Sequence, residues 1–207
     1  MGSAFEPFEA EARAAGCQWI AGVDEAGRGP LAGPVVAAAV ILPEAFELDG
    51  LHDSKRLTAR QRERLYRMIL IQAHGYGLGI VSHQYIDRHN ILQATCEAMR
   101  QAVDRLLHVP ELVLVDGVTS FPSDLPQETL VRGDARCASI AAASILAKVT
   151  RDRLMVTYAR RYPAYGFERH KGYPTREHYQ RLRVHGPCAI HRLTFRGVQV
   201  ARAGQEA

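Results

Sequence analysis

Residues Gln18 to Pro43 read QWIAGVDEAGRGPLAGPVVAAAVILP. The stretch opens on a short apolar run that ends in two adjacent acids, Asp24 and Glu25. A loop rich in glycine and proline follows, Gly27 to Pro34. Then comes a continuous apolar run, Val35 to Leu42, β-branched near both ends and stopped by Pro43. A run of that length and composition reads as a buried strand. The stretch is therefore strand, loop, strand, with two carboxylates where the first strand reaches the rim of a sheet. Alternation sends neighbouring side chains to opposite faces, so one of the two acids points inward unless the strand has ended. That costs stability without an evident structural return, which marks a functional position.

The pattern continues outward from this stretch. A helix is expected over Thr58 to His74, with Thr58 as its N-cap, followed by a strand over Tyr76 to Ser82. Tyr85 to Leu107 reads as a helix that Pro110 ends, with Ile91, Thr95, Met99, Ala102 and Leu106 at helical spacing. Glu111 to Asp116 (ELVLVD) is a buried-type strand that again ends in an acid. After a loop, a short strand over Thr129 to Val131 leads into Gly133-Asp134. Ser139 to Arg161 reads as one long helix, and a short helix is expected over Thr175 to His185. The last ten residues or so are expected to fray. This order predicts an α/β chain built on a mixed sheet with helices on both faces.

Composition bounds the function. The 207 residues are 47% hydrophobic and 23% charged, ordinary globular usage that suits one domain. Lys and Arg total 26 against 22 Asp and Glu, a net +4 that permits an anionic partner without naming one. The longest apolar run is far too short to span a bilayer, and Met1 to Ala10 has no signal-peptide core. Cys17, Cys96, Cys137 and Cys188 are scattered, which suits reduced thiols in a cytosolic protein.

Four acids sit where chemistry is possible: Asp24, Glu25, Asp116 and Asp134. Strands that end in carboxylates can bring them together, and like charges at close range raise each other's pKa unless neutralised. A hard cation such as Mg²⁺ or Mn²⁺ does this, and two such ions can be held for phosphoryl transfer. Taken singly, Asp116 before Gly117 also suits a turn, and Asp134 also suits the first turn of the following helix. Gly27-Arg28-Gly29 lacks the spacing of a dinucleotide or Walker loop. It offers bare backbone beside the acids, or a simple hairpin loop. From Lys148 onward, basic residues (Lys148, Arg151, Lys171, Arg176) interleave with aromatic ones (Tyr165, Phe167, Tyr173). That suits a nucleic-acid surface, or a solvated helix face. His170 and His191 can serve as proton shuttles or phosphate contacts, or sit as ordinary capping residues.

Together these segments resemble the ribonuclease HII family, the type 2 ribonucleases H. The likeness rests on Val23-Asp24-Glu25-Ala26-Gly27-Arg28-Gly29-Pro30, Asp53-Ser54-Lys55, Val115-Asp116-Gly117 and Gly133-Asp134. It continues through Ile140 to Arg153, His170-Lys171-Gly172-Tyr173 and His191-Arg192. The resemblance implies a ribonuclease-H-like fold with a central five-stranded mixed sheet. On that basis residues 18–162 form the catalytic core, 1–17 an N-terminal extension, and 163–207 a helical segment packed on the core. It implies endonucleolytic cleavage of RNA in RNA–DNA hybrids, and incision 5′ of single ribonucleotides in duplex DNA by two-metal hydrolysis with Mn²⁺ or Mg²⁺. The ends left are 3′-hydroxyl and 5′-phosphate. The catalytic and metal-binding acids map onto Asp24, Glu25, Asp116 and Asp134. The ribonucleotide-sensing loop maps onto Gly27, Arg28 and Gly29, and the junction tyrosine onto Tyr173. Lys55, Lys148, Arg151, His170 and Lys171 are the further substrate contacts expected. The chain is expected to be a cytoplasmic monomer that serves ribonucleotide removal from DNA. Two alternatives are a less selective nuclease or recombinase on the same fold, and a nucleic-acid binder without catalysis.

Overall fold

The computed structural model describes residues 5–51 and 57–203. Lys55, with the rest of the Asp53-Ser54-Lys55 motif, lies outside the described residues. Five strands form one sheet: β1 (Ile20–Ala26), β2 (Val35–Ile41), β3 (Gly75–Val81), β4 (Leu112–Asp116) and β5 (Gln127–Leu130). Their order is β3-β2-β1-β4-β5. β2 is antiparallel to both neighbours, whereas β1, β4 and β5 are parallel, so the sheet is mixed as expected. The helices are α1 (Phe8–Ala14), α2 (Ala59–Gln72), α3 (His83–Asp104), α4 (Gly133–Arg136), α5 (Ala138–Arg161), α6 (Phe167–His170), α7 (Arg176–His185) and α8 (Arg196–Ala203).

Every residue of β2 is buried, because both faces of the sheet are covered. Ala38 and Val40 face a cluster with α2 and α5, which includes Leu65, Ile69, Ala142, Ile145 and Leu146. Val35, Ala37 and Ala39 face α3, against Ile86, Ala94, Ala98 and Met99. The run of alanines on α5 lets its backbone approach the sheet closely. At Gly22 a Cβ would collide with the backbone of Ser139 and Ile140, so α5 begins directly against β1. Thr58 caps α2 as expected, and does so with Gln61 in a reciprocal capping box.

Two features depart from the sequence reading. The helix expected over Tyr85 to Leu107 starts at His83 and is broken at Asn90, whose φ is 68°. The Asn90 side chain accepts from Leu92 and Gln93 N–H and so starts a second helix. The C-terminal residues do not simply fray: α8 runs to Ala203, and Val198 is buried with Leu31, Phe167 and Leu182. The N-terminal segment is docked by its acids. Glu9 Oε1 accepts from Ser139 N–H (2.8 Å) and Oγ (2.9 Å) at the start of α5, and Glu6 pairs with Arg136. Negative charge at a helix N-terminus is favourable. Among the described residues, no helix is long and apolar enough to cross a membrane.

Candidate active site

Sheet register brings the acids together. Val23 pairs with Val115 in the parallel β1–β4 ladder, so Asp24 and Asp116 follow at the same level on adjacent central strands. Asp134 is buried in the first turn of α4, and its N–H donates to Asp116 Oδ1 at 3.3 Å. The N-cap of the long helix is Cys137, so Asp134 is not the cap of that helix. The chain bends directly after Asp116: Gly117 takes φ +94°, while its N–H still donates to the Leu130 carbonyl at the end of the β4–β5 ladder. The two readings of Asp116 are therefore compatible.

Asp24, Glu25, Asp116 and Asp134 line one cleft of ≈ 460 Å³ together with Ala26, Gly27, Arg62, Ser144, Lys148 and Tyr173. Asp24 is 7% exposed and accepts from Glu25 N–H at 2.7 Å and from the Ser144 hydroxyl. Burial, then the charges of Glu25 and Asp116, push its carboxyl well above the usual carboxylate range. Burial raises Glu25 as well, with Arg28 opposing that rise and Asp116 adding to it. The Arg28 guanidinium lies 3.5 Å from Glu25 Oε1 and is half exposed.

The other expected contacts divide into two groups. Gly27, Lys148 and Tyr173 line the cleft. Lys148 Nζ pairs with Asp152 at 2.8 Å and lies 5.5 Å from the centre of the Tyr173 ring. Gly29 is exposed, with open space where a side chain would be. Arg151, His170 and Lys171 are not among the residues that line the cleft. Arg151 is fully buried and donates to the carbonyls of Pro34 (3.0 Å), Lys171 (3.0 Å) and Ala32 (3.1 Å). Its charge is consumed by main chain, so no phosphate can reach it. His170 is 8% exposed, with Nε2 on the Tyr165 carbonyl and Nδ1 accepting from Gly172 N–H. Lys171 turns back onto the Glu168 carbonyl. His191, read as a shuttle or phosphate contact, is 1% exposed and bonds within the fold.

Sequence reasoning missed Arg62 and Ser144, which line the cleft, and Arg192, which supports it. Arg192 is fully buried and spans both limbs of the Gly27–Pro34 loop. It donates to Gly27 O (2.6 Å), Arg28 O (2.9 Å), Gly33 O (3.0 Å) and Pro34 O (3.2 Å). Ser144 had a signal: it sits one helical turn before Lys148 and so shares its face. Pro174 also finds a role. Thr175 N–H donates to the Tyr173 carbonyl at 2.8 Å, closing a three-residue turn around Pro174 that suits a fixed proline φ.

Among the described residues, no three His, Cys, Asp or Glu side chains are already arranged to hold a metal ion. The donor set nevertheless fits a hard divalent cation. It offers carboxylate oxygens alone, and the buried Asp24 carries a charge its surroundings disfavour.

Residues 21–198 match the family Ribonuclease HII. A protein of Syntrophotalea carbinolica named Ribonuclease HII is 56% identical over 192 residues, 93% of this chain and 92% of that one. The crystal structure of ribonuclease H2 from Pyrococcus horikoshii OT3 is similar at 27% identity and TM-score 0.76, covering 90% of this chain and 98% of that one. Bst ribonuclease HIII, solved in complex with Mn²⁺, shares the fold at 18% identity and TM-score 0.69, covering 91% of this chain and 71% of that one.

Proposed function

The chain belongs to the ribonuclease HII family, nuclease hydrolases of ribonuclease H type, and from that premise we propose that it incises duplex DNA 5′ of embedded single ribonucleotides as well as the RNA strand of hybrids. The observation that carries this reading is the convergence of Asp24, Glu25, Asp116 and Asp134 in one cleft walled by Lys148, Arg62 and Tyr173. Asp24, Glu25, Asp116 and Asp134 would hold two divalent ions, Mn²⁺ or Mg²⁺. Such ions supply Lewis-acid charge for in-line hydrolysis of a phosphodiester.

The protein's own residues do the rest. Ser144 and the Glu25 N–H orient the Asp24 carboxylate from behind. Lys148 and Arg62 add positive charge to the wall of the cleft that the acids share, which favours a phosphate there. Arg192 fixes the carbonyls of Gly27 and Arg28, so a 2′-hydroxyl at this loop meets main chain already held in place. The half-exposed Tyr173 ring packs on the deoxyribose that follows the ribonucleotide. The ends left are a 3′-hydroxyl and a 5′-phosphate. Residues 18–162 supply the acids, and 163–207 supply Tyr173 and Arg192.

The test compares three duplexes under either ion: an RNA–DNA hybrid, DNA with one ribonucleotide, and all-DNA. Cleavage of the first two and not the third is expected. Comparable cutting of all-DNA would make this a less selective nuclease, and binding without cutting any of them would make it a binder.

A further inference from the structure

Behind the cleft, the C-terminal segment packs three buried histidines together. His170 and His178 stack with ring centres 4.4 Å apart and 18° between planes. His178 Nε2 lies 3.0 Å from His191 Nε2. Two neutral rings share one proton across that gap, and the bonds outside the pair say which ring holds it. Cys188 N–H donates to His191 Nδ1 at 2.9 Å, so this nitrogen is an acceptor. Placing a proton there instead, toward the Cys188 carbonyl at 3.3 Å, would set two N–H groups against each other at 2.9 Å. His191 therefore carries its proton on Nε2 and donates to His178. His178 then carries its own on Nδ1, which points at the Tyr173 carbonyl 3.0 Å away. Donation runs one way: Cys188 N–H, His191, His178, Tyr173 C=O. Burial keeps both rings neutral, with His178 pushed down to about 4 and His191 to about 3.

The next residue along the chain, Arg192, holds the Gly27 and Arg28 carbonyls. The main chain of this dipeptide is itself fixed to the same loop. Arg192 N–H donates to Leu31 O at 2.8 Å, and Ala32 and His191 form an antiparallel bridge. One dipeptide thus ties down both the Gly27–Gly29 loop and the backbone of Tyr173. Tyr173 is 38% exposed, and its ring has only the Lys148 ammonium (5.5 Å) and the Arg151 guanidinium (5.6 Å) beside it in the cleft, so the attachment of its backbone helps to set where the ring stands.

We propose that His178 and His191 are positioning residues that set the Tyr173 ring at a fixed distance from the Gly27–Gly29 loop, and thereby set the preference for a ribonucleotide-to-deoxyribonucleotide step over a continuous hybrid. The proposal rests on the reading that Tyr173 packs on the substrate.

The test is His178→Phe, which keeps a ring of similar size to stack on His170 but removes the Nδ1–H. The specificity constant kcat/KM is measured on DNA with one ribonucleotide and on an RNA–DNA hybrid, with thermal melting alongside. The expected result is a loss of roughly tenfold on the single ribonucleotide, the factor that corresponds to ~1.4 kcal/mol. The hybrid should change by less than about twofold, within the ~0.4 kcal/mol of that scale. Parallel losses on both substrates would overturn the proposal in favour of a purely structural pair, and so would an unchanged ratio. Tyr173→Ala serves as the control. If it shifts the ratio while His178→Phe does not, the relay alone fails; if it leaves the ratio unchanged, the reading of Tyr173 fails and the proposal falls with it. Should His178→Phe not fold, histidine ¹⁵N NMR of the parent protein decides. His178 as the Nδ1–H tautomer and His191 as Nε2–H are expected, and His178 as Nε2–H would overturn the relay.

Discussion

Arg192→Lys is a small chemical change with a large expected effect. The guanidinium fork reaches Gly27 and Arg28 on one limb of the loop, and Gly33 and Pro34 on the other, at 2.6–3.2 Å. A lysine ammonium is a single point and reaches one limb only. Pro34 O keeps its bond from Arg151, and the exposed Arg28 segment can bond water. Whichever limb is released, one buried carbonyl, Gly27 or Gly33, loses its donor. An orphaned buried acceptor costs about 1–3 kcal/mol. At about 2–4 °C per kcal/mol for a chain of this size, a central cost of ~2 kcal/mol lowers Tm by about 4–8 °C. Activity should fall further than stability does, because a loop displaced by about 1 Å can cost ~10²-fold in rate. Melting by circular dichroism, with cleavage of a one-ribonucleotide duplex well below both melting temperatures, reads both effects. A variant that melts within about 1 °C of the parent and cuts at the parent rate would refute the spanning role of the fork.

Four other outcomes are expected. Asp24→Asn should abolish turnover while hybrid binding persists, and unchanged turnover would remove Asp24 from the chemistry. The raised carboxyl pKa of Asp24 makes its ionised form a cost in the folded state. That cost is absent below the unfolded value of about 3.9 and grows as pH rises through the folded one. Without divalent cations, Asp24→Asn should therefore raise Tm most at alkaline pH, which melting across a pH series would check. Tyr173→Ala should cut single-ribonucleotide cleavage with a stability change within about 0.5 kcal/mol, as for other exposed positions; Tm falling in step with activity would make the ring a core element. Hybrid affinity should weaken linearly in log salt through phosphate contacts, and a salt-independent affinity measured by fluorescence anisotropy would remove the basic surface from binding.

Much of the fold was legible because β2 and α5 announce themselves locally. Val35 to Leu42 is short, β-branched near both ends and flanked by Pro34 and Pro43, which favours a two-sided buried strand, and Ser139 to Arg161 falls within one residue of the observed α5. The acids were legible for the same reason, since a charge at the end of an apolar run has few other places to go. The basic residues were not, because a guanidinium looks the same in sequence whether it faces water or a carbonyl. Arg151 did carry a signal. It is in register with Ala147, Met155 and Ala159 at intervals of four, all buried, so the helical period places it inside. Arg192 and His191 carried none, since their partners lie far back along the chain in the Gly27–Pro34 loop and, for His191, on α7. The break at Asn90 was likewise hidden, because an asparagine within an apolar period looks like one exposed position.

The central claim is that four converging acids cut beside a ribonucleotide that the Gly27–Gly29 loop and Tyr173 select together. Mapping the cut at nucleotide resolution on end-labelled duplex DNA with one ribonucleotide, under Mn²⁺ and under Mg²⁺, tests it most directly. The account predicts a single incision on the 5′ side of the ribonucleotide, leaving a 3′-hydroxyl, lost on chelation and lost in Asp24→Asn. Incision on the 3′ side, or cutting that survives chelation, would contradict it.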